Sequence, residues 1–295
     1  MSRPSSSSAQ AARQRLGEQL RALREAAHIS GVRFAELAGW RDSSVVSKVE
    51  KGQRTITADH VRLWCRVCAA SPRRTEELLS EQAAAERMWM TYQQLNRGGL
   101  AGAQKSVREQ YEQLTLSRSY QPKLIPGMLQ VEDYTRHALT GVIIEQSVEV
   151  PDADDDLAEA VAERMARQGL LGRPDARWLY VLEEAVLRFR PYSRQVHAAQ
   201  LRHLMQVMRR PNVVLGIIPM DARRRGIHPA EAFNMFDSDL VTVELVSGYL
   251  SVTTPAEIAM YEFEWNRLSS LAVFGDRARA LIGEALNAAE DQDGS

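Results

Sequence analysis

Between Ser30 and Arg54 the chain carries two short helical patterns separated by one glycine-centred turn, and this run constrains the fold more than any other segment. Ser30 can cap a helix through its hydroxyl, with Phe34, Ala35 and Ala38 on the inward face. Gly39 ends that helix, because glycine tolerates the left-handed backbone that a tight turn needs. Asp42 can cap the next helix, in which Val46 and Val49 face inward, and Gly52 stops it. The small side chain of Ala35 lets the two helices approach closely.

The flanking sequence completes an all-α domain. Leu16, Leu20, Leu23 and Ala27 recur at helical spacing and predict an amphipathic helix over Leu16–Ala27. Thr57 starts a fourth helix with Val61, Trp64 and Val67, and a fifth follows Pro72, whose fixed φ suits a helix start. The expected organisation is a disordered tail over residues 1–12, a helical domain over 13–75 and a helical connector over 76–118. The connector reads as a helix over Glu76–Leu95, a Gly-rich break over Asn96–Gly102 and a helix over Val107–Arg118. Tyr120–Gly127 reads as a turn-rich corner, Tyr134–Leu139 as a short helix, Val150–Asp156 as an exposed acidic loop and Leu157–Leu171 as a helix.

The texture then changes. Trp178–Leu182, Val213–Ile218 and Phe233–Phe236 are short apolar runs bounded by turn formers, as strands are. Val241–Val246 and Tyr249–Thr253 flank Ser247-Gly248, a hairpin pattern. Gln195–Met208 and Ala256–Leu286 read as helices. Residues 119–288 are therefore expected to form an α+β domain with a small sheet covered by helices, followed by a disordered tail over 289–295.

The net charge of −1 hides an asymmetry. Residues 1–75 hold 14 basic and 6 acidic side chains, a formal +8, which leaves −9 for the remainder. A basic module joined to an acidic one points to a polyanion partner for the first part alone. No apolar run reaches the ~18 residues of a membrane span, so no membrane partner is expected. The only cysteines are Cys65 and Cys68, which excludes a disulfide framework and makes a cytoplasmic location the expectation. Both sit in an amphipathic helix and read as buried thiols, since zinc sites normally need four ligands. Glu183 and Glu184 are adjacent on a predicted strand and point to opposite faces. With no phosphate-binding loop and no nucleophile elbow, no catalytic residue, metal or cofactor is expected.

Two helices joined by a tight turn present the N-terminal residues of the second helix to the major groove of double-stranded DNA. Ser43, Ser44, Val45 and Ser47 are the candidate base-reading residues, since hydroxyls bond base edges and Val45 can meet a thymine methyl. Arg41, Lys48, Lys51 and Arg54 lie where the phosphate backbone would pass and would position the protein without reading sequence.

This stretch resembles the bacterial repressor-type (XRE-like) helix-turn-helix domains. The matching pieces are Leu20-Arg21-Ala22-Leu23-Arg24, Phe34-Ala35, Gly39-Trp40 and Val46 through Arg54. The turn differs by one extra residue near Arg41, and Ser43 replaces the Gln usual at the start of the recognition helix. Farther on, Tyr120-Gln121-Pro122, Ile125 through Gln130, Glu163-Arg164, Arg167-Gln168, Glu184 through Arg188, Arg210 through Val213 and Val243-Glu244 resemble antitoxin-like regulators of filamentous high-GC bacteria. Ala232 stands where those regulators usually carry Gly.

The resemblance implies a sequence-specific transcription regulator whose C-terminal domain receives a protein or small-molecule signal. The alternative it leaves open is an antitoxin-like protein that mainly sequesters a small partner encoded nearby and regulates its own operon. A single small head reads few base pairs, so a homodimer is expected. Its first candidate surface is Leu78, Leu79, Met88, Trp89 and Leu95. The corner residues Pro126, Gly127 and Gln130, with Arg164, Arg167 and Gln168, are the candidate partner or coupling surface. The −9 balance points to a basic or apolar partner there.

Overall fold

Helix α1 (Ser8–Ala26) runs farther back than its apolar spacing predicts, into the segment expected as a tail. Ala, Gln and Arg fill its first turns and are good helix formers. The computed structural model describes residues 8–91, 96, 99–146, 153–246 and 248–291. The tail expectations for residues 1–7 and 292–295, the acidic segment at 150–152 and Ser247 lie outside these, as do the side chains of Met88, Trp89 and Leu95. The chain divides into two units, Met1–Met90 and Thr91–Ser295, so the connector expected over 76–118 is not a unit of its own.

The first unit packs α1, α2 (Gly31–Leu37), α3 (Ser44–Glu50), α4 (Ala58–Val67) and α5 (Pro72–Met88) around one core. Leu16, Leu20, Phe34, Val46, Val49, Val61 and Trp64 form it. The Trp64 indole donates to the Leu20 carbonyl at 3.0 Å, which satisfies the one polar atom of a buried ring. Leu78 is buried in this core and so is not offered to a second copy as the sequence suggested, while the half-buried Leu79 packs against the core. Ser30 and Thr57 cap α2 and α4 as expected, by accepting from Arg33 N and His60 N.

The second unit begins with α6 (Gly99–Glu112), which starts inside the expected Gly-rich break. Gly99 has a φ of +86°. The Asp156 carboxylate accepts from Leu100 N at 2.7 Å and Ala101 N at 3.2 Å, so a neighbouring helix caps this one. Residues 113–118 are not helical as predicted: β1 (Leu116–Gln121) occupies the centre of the sheet. A 3-10 turn (Gly127–Leu129) and α7 (Glu132–Gln146) follow. Next comes α8 (Ala153–Gln168), with Asp154, Asp155 and Asp156 in its first turn, where the helix dipole favours them.

Then come β2 (Arg177–Glu183), α9 (Glu184–Arg188), α10 (Arg194–Val207) and β3 (Val213–Ile218). The strands β4 (Phe233–Phe236), β5 (Leu240–Leu245) and β6 (Gly248–Val252) precede α11 (Pro255–Ser269) and α12 (Gly275–Glu290). The long helix predicted over Ala256–Leu286 is broken where Val273 pairs with Ile217, and Gly275 turns the chain with a φ of +58°. Glu184 starts a helix and does not extend the strand, contrary to the sequence reading.

The six strands of the second unit lie in the order β6-β5-β4-β1-β2-β3. The β1–β2 and β2–β3 pairs are parallel, and the others are antiparallel. Helices cover both faces. Ile258, Trp265 and Leu268 of α11 pack on the face of Tyr120, Val181, Phe233 and Met235. Leu201 and Leu204 of α10 and Ile282 of α12 pack on the face of Trp178, Leu182, Leu215 and Ile217. Burial on both sides explains why β3 reads as an unbroken apolar run. Among the described residues no helix is long and apolar enough to cross a membrane.

Candidate functional site

The geometry of α3 begins with its caps. The Asp42 carboxylate accepts from Ser44 N at 2.8 Å and from the Ser44 hydroxyl at 2.6 Å. These bonds hold the Asp42 carboxyl below its ordinary range. At the other end Gly52, expected to stop the helix, has a left-handed φ of +65°. Val46 and Val49 are buried, as expected.

Two features that fix α3 against α1 were not foreseen. A Cβ on Gly17 would lie 2.5 Å from the Val49 carbonyl oxygen, so the helices touch backbone to backbone there. Arg24 donates to both oxygens of Glu50, at 2.6 and 3.0 Å, and to the Ile29 carbonyl at 2.7 Å. Hydrogen bonding to Glu50 raises the Arg24 guanidinium above its ordinary value. Both residues stand in the pieces that carry the resemblance, but residue type alone does not show that the pair is nearly buried.

The outward face of α3 differs in detail from the sequence assignment. Ser43 is exposed, whereas Ser44, Val45 and Ser47 are half-buried. Val45 also packs against the core, and the Ser44 hydroxyl is spent on Asp42. Ser43 is therefore the base-reading candidate on the most open ground. Arg41, Lys48, Lys51 and Arg54 are all exposed. None forms an ion pair among the described residues, whereas Arg21, Arg33, Arg62, Arg73 and Arg74 each pair with a carboxylate. Arg15 and Arg66 are likewise exposed and unpaired among the described residues, so uncompensated positive charge lies on and beside α3 and also on α1 and α4.

Cys65 and Cys68 are buried, and burial pushes the Cys68 thiol up to about 11. Glu183 bonds the Tyr120 hydroxyl at 2.7 Å and pairs with Arg224. Glu184 pairs with Arg188 and accepts from Met220 N, so the two carboxylates serve different partners. Among the described residues no group of three His, Cys, Asp or Glu side chains stands where it could hold a metal ion.

The corner residues of the second unit come together, Gln130 and Arg167 buried and Pro126, Gly127, Arg164 and Gln168 half-buried. Gln168 donates to the carbonyls of Gly127 and Gln130, at 3.0 and 2.6 Å. Arg164 donates to Gln130 at 3.1 Å and to Gln104 at 3.0 Å. A Cβ on Gly127 would lie 2.9 Å from Arg167 Nη2, so any larger residue after Pro126 would make that guanidinium shift. Met128 and Leu129 fill the core, as the sequence suggested, while Gln130 and Arg167 are buried with them.

Residues 15–78 match the family model of a helix-turn-helix domain. No curated protein and no solved structure is found to match. Residues 112–284, more than half of the chain, match the model of a domain of unknown function, DUF5753, and the chain belongs to that family.

Proposed function

We propose that this chain is a sequence-specific DNA-binding transcription regulator that acts by binding and not by catalysis. The single observation that carries the reading is the exposed face of α3, with Ser43 at its N-terminal end and Arg41, Lys48, Lys51 and Arg54 unneutralised around it. A helix set at one end of a compact head, with free cations beside it, fits the major groove and the phosphates that border it. The second unit receives the signal, and the regulator works as a homodimer reading an inverted repeat.

Selection of the full-length chain on random-sequence duplex DNA tests this. The expected product is an enriched inverted repeat whose half-sites are about one helical turn, ~34–36 Å, or a multiple of it apart. Enrichment of no sequence over input would contradict sequence-specific binding, and a single unrepeated half-site would contradict the dimer.

A further inference from the structure

The inward face of the sheet on the α8 side is more polar than a core should be. In register across β1, β4 and β5 it carries Ser119 beside Asn234 and Thr242, with Ser117 one row away. Ser117 also pairs in register with Trp178, and Ser119 with Tyr180. Four polar atoms in this one region find no hydrogen-bond partner among the described residues: Ser117 Oγ, Trp178 Nε1, the Tyr180 hydroxyl and Arg167 Nε. All four side chains are at least nine-tenths buried. Native interiors pair such groups with protein, water or a ligand, so four of them in one region are free to bond a molecule held there.

Two guanidiniums border the cluster. Arg167 lies 5.5 Å over the Tyr111 ring, which in turn stacks on Trp178 at 5.9 Å. Arg164 is held by the neutral amides of Gln104 and Gln130. Neither arginine forms an ion pair with a carboxylate among the described residues. Burial, and then the nearby Arg167 charge, push Arg164 down to about 10. Glu244, the carboxylate that acts on both arginines from a distance, is not bonded to either. Its side chain is exposed and Arg164 is half-buried, so solvent reaches the rim of the cluster while Arg167 and Tyr180 form its sealed floor.

We infer that this cluster is a binding site for a small organic anion. Arg164 and Arg167 hold its carboxylate or phosphate group, and Tyr180, Trp178 and Ser117 supply hydrogen bonds to its body. A buried and a half-buried guanidinium three residues apart recognise a planar or tetrahedral oxyanion by charge-assisted bonds. The site is locally positive inside a unit, residues 91–295, whose formal charge is −6, so the overall balance that suggested a basic or apolar partner does not describe it. What binding is for rests on the proposed role of this unit as the receiver of a signal. The binding itself is measured without DNA, so a failure of either claim is visible separately.

The experiment is a thermal unfolding series on the full-length chain in chloride buffer, with increasing inorganic phosphate or 4-hydroxybenzoate. It is run on the unmodified chain and on the Arg167→Met and Arg164→Met variants. The unmodified chain should gain several degrees, saturably, with at least one of the two anions. Both variants should lose that response. When empty, at least one of them should melt higher than the unmodified chain, because removing an unpaired buried charge in favour of an apolar side chain relieves a desolvation cost. An unmodified chain that responds to neither anion overturns the inference, and so does an equal response in the variants. Lower melting of both empty variants overturns it too, since the arginines would then be structural. Arg164→Met keeps the test open should the sealed Arg167 position not tolerate change.

Discussion

Both units carry exposed arginines that are unpaired among the described residues, Arg177 and Arg209 being two in the second, but the second also buries one in its interior. In the first, Arg41, Lys48, Lys51 and Arg54 stand in water with no carboxylate bound. In the second, Arg167 is 5% exposed and lies under protein with its Nε unpaired. A free cation in water costs little and is ready for any polyanion that approaches, with the released counterions driving the union. A free cation under protein costs its desolvation, and only a well-packed frame can hold it there. The first arrangement suits a long, uniform partner read along its surface. The second suits a partner small enough to be enclosed.

The sharpest way to break the first half of this contrast is to destroy the scaffold that displays the charges. Val46→Asp buries an unpaired charge in the core of the first unit and should cost about 4 kcal/mol or more, enough to unfold that unit. Loss of helical circular dichroism together with DNA binding is the expected result. A folded variant that merely fails to bind would show that Val46 is not structural.

Arg24→Ala leaves the Glu50 carboxylate nearly buried without its partner and should cost about 3 kcal/mol, read by urea denaturation. An unchanged midpoint would mean that the pair contributes nothing to the α1–α3 contact. Gly17→Ala should cost about 1–3 kcal/mol in the same assay, because its new methyl meets backbone and no flexible side chain can yield. Cys65 and Cys68 should stay unmodified by iodoacetamide in the folded chain at neutral pH and react on unfolding, since burial keeps the Cys68 thiol protonated. Rapid labelling of the native chain would contradict that burial.

What the sequence conveyed also differs between the units. The α2–turn–α3 segment was legible because each of its signals is local: Ser30, Gly39, Asp42 and Gly52 act on backbone within a few residues. The apolar strand β3 was legible for the same reason, with its bounds read directly from composition. Strand β1 was not. Its sequence, Leu116-Ser117-Arg118-Ser119-Tyr120-Gln121, carries polar residues on one face, and a buried strand is expected to be apolar there. That face meets Trp178, Tyr180 and Asn234, so the feature that hid the strand is the polar lining of the proposed anion site.

The break in the long C-terminal helix was hidden differently. Apolar spacing continues through Leu271, Ala272 and Val273, whereas the helix ends at Ser269 and Val273 pairs with Ile217, distant in sequence. The corner at Pro126–Gly127 was legible as a bend. That Gln130 and Arg167 sit beneath it in the interior depends on long-range packing that no local pattern encodes.

The contrast rests on the claim that the exposed cations around α3 bind phosphates, and salt dependence measures that claim most directly. Affinity of the full-length chain for its selected duplex is followed between about 50 and 200 mM salt, a range in which phosphate contacts weaken visibly. The same series is run on a variant with Arg41, Lys48, Lys51 and Arg54 all changed to Ala. Each lost phosphate contact lowers the slope of log K against log salt by about 0.9, so the variant should be shallower by about 3–4. Its order of preference among duplex sequences should be unchanged. An equal slope in the two proteins, or a changed order of preference, would contradict the account.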